Sequence, residues 1–80
     1  MKQITNAQRA EMAYRALKKF SELTGVEGED ESDQISDLLC NLMHCADEQG
    51  VDFDECIELA KHHYKNEIEV EAYKKAEEES

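Results

Sequence analysis

The chain has 80 residues, of which nine are Lys or Arg and twenty are Asp or Glu, giving a formal net charge of −11. This length holds one domain and leaves little apolar material for a core, so a chain of this size needs idealised packing, a staple or a partner. Strong acidity argues against direct nucleic-acid binding, which relies on clustered Lys and Arg. No run approaches the roughly 20 apolar residues of a membrane span, so no membrane association is expected.

Cysteine usage points to a reducing compartment. Three cysteines, Cys40, Cys45 and Cys56, cannot all pair within one chain. No apolar run near the start marks a secretion signal, so a cytoplasmic protein with free thiols is expected.

The first predicted helix spans about residues 6–23. Thr5 and Gln8 form a capping-box pair at its start. Asn6, Ala10, Ala13, Leu17 and Phe20 fall on one stripe at helical spacing, and Gly25 suits its C-terminal cap.

A short acidic connection containing Gly28 follows. The second predicted helix spans about residues 31–49, with Ile35, Leu38, Leu39, Leu42, Met43 and Ala46 at the i, i+3, i+4 spacing of one apolar face. Gly50 ends it, with Val51 placed for the apolar contact of a Schellman motif.

The third predicted helix spans about residues 53–77. Asp52 is its cap and Glu55 stands at the third helical position. Phe53, Ile57, Ala60, Tyr64 and Ile68 form its main stripe. Glu67 to Ala72 alternates as a strand would, but a lone strand has no partner, which leaves helix. At 1.5 Å per residue this helix is longer than its neighbours by about 10 Å and overhangs them. Short connections make sequential helices antiparallel neighbours. The expected fold is therefore all-α: one domain over residues 1–80, a three-helix antiparallel bundle completed by dimerisation.

Charge is segregated along the chain. Residues 1–24 carry five basic and two acidic groups, residues 25–60 carry twelve acidic and none basic, and residues 61–80 carry four basic and six acidic. The middle segment must be solvated or meet a positive partner. Its densest part, Glu27, Glu29, Asp30, Glu31, Asp33 and Asp37, is the candidate partner-binding surface. The spacing does not match an EF-hand loop, and a solvated acidic loop leading into a helix is the favoured reading.

Cys40 and His44 are i, i+4 neighbours, yet no C-x-x-C pair accompanies them. Structural zinc spacing is missing, and so is a third group to orient a Cys–His nucleophile. Cys45 and Cys56 read as near-core thiols and Cys40 as an outer one. No catalytic residue, metal or cofactor is expected. A second stripe on helix 3, made of Leu59, His62, His63, Asn66, Val70 and Tyr73, lies away from the main stripe. It is the candidate dimer or partner interface.

Two resemblances attach to these residues. The run Asp37-Leu38-Leu39, Leu42-Met43-His44, Asp47, Gly50 and Asp52-Phe53, followed by Ala60 and His63-Tyr64, resembles small uncharacterised helical proteins of bacteriophages and mobile elements. That resemblance, which with Gln8-Arg9-Ala10 to Leu17 covers most of the chain, implies a genomic context and no activity. The same run is similar to the later half of MazG-like nucleoside triphosphate pyrophosphohydrolases, in which an E-x-x-D metal motif precedes a G-I-D turn. Asp37 fits the Asp of that motif, while Gln34 stands where Glu is required and Asp33 lies one place off. The paired E-E-x-x-E of the preceding helix is missing, with only Glu11 and Glu22 on helix 1. The resemblance implies a Mg²⁺ site at Asp37, Asp33 and Glu31.

The expected function is thus a non-enzymatic acidic protein-binding module, a nucleic-acid mimic or inhibitor of a basic host protein, whose partner is that basic protein or a second copy of itself. The alternatives are a divergent Mg²⁺-dependent pyrophosphohydrolase and a purely structural helical dimer.

Overall fold

Helix boundaries follow from the caps. A computed structural model describes residues 4–79, so residues 1–3 and 80 of the expected domain lie outside the described residues. Helix α1 runs Asn6–Thr24, α2 Glu31–Gln49 and α3 Phe53–Glu79. The described residues hold no strand.

Thr5 closes a full capping box. Its hydroxyl accepts from the Gln8 backbone N–H at 3.1 Å, and the Gln8 side chain accepts from the Thr5 N–H at 2.9 Å. Gly25 and Gly50 end α1 and α2 in the left-handed region, at φ 76° and 70°. Past Gly50, the Val51 N–H donates to the Ala46 carbonyl at 2.9 Å and the Gly50 N–H to the Asp47 carbonyl at 3.3 Å. These are the paired bonds of a Schellman ending. The Asp52 carboxylate accepts from the Glu55 N–H at 3.2 Å and starts α3. Through Glu67 to Ala72 the chain is helical.

All three helices touch one another. The last turns of α1 lie against the first turns of α2, through Lys18, Ser21, Glu31 and Gln34. The first turn of α1 meets α3 at Glu67 and Glu71. Glu67 is about 21 Å along α3 from Phe53, at 1.5 Å per residue.

The apolar core is smaller than the periodicity implies. Leu17 and Ala46 are the buried apolar residues among those described, and two polar residues, Ser21 and Gln34, are fully buried with them. Phe20, Leu38, Phe53 and Ile57 are half-buried. Ile35, Leu39, Leu42 and Met43 of α2 remain exposed, as do Ala60, Tyr64 and Ile68 of α3. The expectation that each main stripe forms a buried core is corrected accordingly. The radius of gyration is 15.7 Å, where a compact domain of this length has about 12 Å.

Candidate functional site: polar seams, an acidic face and open apolar stripes

The helices are joined by polar seams. At the α1/α2 seam the Gln34 Oε1 accepts from the Ser21 hydroxyl at 2.7 Å and from the Lys18 ammonium at 3.1 Å. Its amide Nε2 donates to the Glu29 carbonyl at 2.7 Å and to the Glu27 carbonyl at 3.5 Å. A buried amide so partnered is fully satisfied, and it ties the acidic loop to both helices. Ser21 draws no attention in the sequence, and Gln34 counts there only as the residue standing where an E-x-x-D motif needs Glu. The available signal was the position of Gln34 one place before the apolar stripe begins at Ile35.

Lys18 is the cation at this seam. Its Nζ lies 3.0 Å from a Glu31 carboxylate oxygen and 4.8 Å from the centre of the Tyr14 ring. The hydrogen bond to Glu31 raises the Lys18 pKa above the ordinary lysine value, against a smaller opposing effect of desolvation. At the α1/α3 seam the Asn6 backbone N–H donates to the Glu71 carboxylate at 2.9 Å, and the Asn6 side chain donates to the Glu67 carbonyl at 3.2 Å. Arg9 pairs with Glu67 at 3.4 Å. Beside this seam a cleft of about 350 Å³ is lined by Asn6, Arg9, Ala10, Tyr64, Glu67 and Ile68.

The acidic segment divides into three settings. Glu27, Glu29, Asp30 and Asp33 are exposed; Glu31 is exposed but held by Lys18; Asp37 is half-buried. At 100° per residue, Asp33 and Asp37 lie about 135° and 175° from the centre of the Ile35–Met43 stripe. Asp33 and Asp37 therefore stand on the side of α2 away from the apolar stripe, whereas Glu31, four residues before Ile35, borders it.

No three His, Cys, Asp or Glu side chains gather as a set for a metal ion among the described residues. Gln34, which stands at the Glu position of the E-x-x-D pattern, is occupied by its seam hydrogen bonds.

The second α3 stripe is exposed along its length: Leu59, His62, His63, Asn66, Val70 and Tyr73. The His62 and His63 rings have centroids 6.3 Å apart and tilt by 59°. Cys40, Cys45 and Cys56 are all exposed free thiols. The near-core placement of Cys45 and Cys56 is corrected: the sparse packing leaves their sides of the helices uncovered. No described helix is long and apolar enough to cross a membrane.

No protein-family model matches the chain, and no curated protein or solved structure matches it.

Proposed function

We propose that this chain is a non-enzymatic acidic binding module, of the phage or mobile-element kind its sequence resembles, working in the cytoplasm. It acts as two copies of an antiparallel helical bundle. Its carboxylate face takes the place of a nucleic acid on a basic host protein. The observation that carries this reading is the segregation of charge: twelve acids and no Lys or Arg between residues 25 and 60, with Glu27, Glu29, Asp30 and Asp33 exposed on one loop and helix start. Such a face attracts a positive surface over a Debye length of about 8–10 Å and speeds encounter. A seam that anchors the loop through Gln34 supports the reading, because a held loop presents its charges with less ordering cost on binding.

The test is competition. A panel of basic DNA- and RNA-binding host proteins, each loaded with a labelled oligonucleotide, is titrated with the chain at low salt. Displacement from at least one, reversed by added salt and weakened in Glu27→Gln/Glu29→Gln/Asp30→Asn/Asp33→Asn, is expected. No binding to any of the panel at low salt contradicts the proposal.

A further inference from the structure

We infer that a second copy of this chain seats on the open face of α2, centred on Ile35, Leu39, Leu42 and Met43, and that the α3 stripe from Leu59 to Tyr73 is not the centre of that contact. The inference rests on the two-copy reading above and gives it a location.

Area supports a copy-sized occupant. The accessible surface is 6875 Å², whereas a compact monomer of 9.2 kDa exposes about 4900 Å². The excess, about 1900 Å² per chain, falls within the roughly 1000–2500 Å² that each subunit of an obligate homodimer buries.

Geometry supports the location. Helix α1 engages α2 through Gln34, and Ile35 is turned about 100° from that position. The polar seam thus leaves the stripe beside it uncovered. Ile35, Leu39, Leu42 and Met43 are 49%, 41%, 43% and 50% exposed, while Ala46, on the same stripe and next to the turn into α3, is buried. A face built for a core is closed at one end and open over about two and a half turns.

Charge supports a second copy over a basic partner. Of the α2 acids near the stripe, Asp33 and Asp37 lie on the far side of the helix, while Glu31 and Asp47 border its two ends at about 65° and 95° from its centre. Along the middle of the stripe its neighbours are neutral: Ser32, Ser36 and Cys45. Two chains that each carry −11 can meet on this strip, because its nearest carboxylate, Glu31, is already paired with Lys18 and Asp33 and Asp37 stand on the other side of the helix. The α3 stripe instead interleaves His62, His63 and Asn66 with its apolar residues, which suits an interface core less well.

Sedimentation velocity on the full chain tests this with two variants, Leu39→Glu/Met43→Glu and Val70→Glu/Tyr73→Glu, with helicity followed by circular dichroism. A dimeric wild type, a dimeric α3 variant and an α2 variant with at least a tenfold weaker dimer constant are expected. If the α2 variant unfolds, Leu39→Ser/Met43→Ser takes its place. Should that chain also unfold, a cysteine cross-link decides: oxidised Leu39→Cys in a Cys40→Ser/Cys45→Ser/Cys56→Ser background must give a covalent dimer. A dimeric wild type broken by the α3 pair alone, or one that yields no Leu39→Cys cross-link, overturns the location and leaves the two-copy reading intact. A monomeric wild type at 0.1 mM overturns both.

Discussion

Ser21 donates its hydroxyl to the Gln34 side-chain oxygen at 2.7 Å, and both residues are fully buried. In a chain with two buried apolar residues among those described, this polar pair holds the centre of the α1/α2 seam. Removing a partner strands a desolvated group, which costs about 1–3 kcal/mol. Gln34→Ala is expected to lower the free energy of unfolding by that amount, read from denaturant melts. Ser21→Ala is expected to cost less, since it leaves Gln34 its Lys18 bond. The double variant should fall short of the sum, with a coupling of at least ~0.5 kcal/mol. Strict additivity would show the pair to be incidental.

Gly50 offers a cleaner backbone test. Its φ is 70°, and a Cβ there meets nothing within 4 Å. The cost of Gly50→Ala is therefore the left-handed penalty alone, about 1–2 kcal/mol. An unchanged thermal midpoint would mean that the α2–α3 turn adopts another conformation.

Lys18 makes stability depend on pH at the alkaline end. Its bond to Glu31 raises its folded-state pKa, so the folded chain holds this proton more tightly than the unfolded one. The contribution is complete below the ordinary lysine value of about 10.4 and is lost as pH rises through the higher folded value. Melts between pH 9 and 12 are expected to show a loss that flattens in Lys18→Met. An equal slope in both chains would assign the loss to other groups.

Salt separates the two kinds of association. Binding of a basic partner to the carboxylate face weakens as salt screens the attraction. Self-association of chains at −11 each on an apolar strip strengthens, because salt screens the repulsion between them. Dimer constants and oligonucleotide displacement measured from 50 to 500 mM NaCl should move in opposite directions. Parallel trends would indicate that one surface serves both.

Four of the six helix ends were legible in the sequence because local chemistry fixes them: the Thr5–Gln8 box, Gly25, Gly50 and the Asp52–Glu55 start all appear where their spacing placed them. The extents differ by one residue at Thr24 and two at Glu79. What covers each apolar stripe was not legible. Periodicity states which side of a helix is greasy, but the seam between α1 and α2 is set by Gln34, one position off the stripe, and by the short acidic loop it ties down. For the same reason Cys45 and Cys56, beside the stripes, are exposed thiols. The acidic face was legible in part. Its charge count is a property of the chain alone, whereas the capture of Glu31 by Lys18 depends on where α1 lies.

Small-angle X-ray scattering of the wild-type chain at 0.1 mM in 150 mM salt reads mass and shape together. A particle of twice 9.2 kDa is the expected result, with a distance distribution broader than that of one 15.7 Å chain. A 9.2 kDa particle whose radius of gyration stays near 15.7 Å would mean that the open face of α2 stands in water with nothing on it.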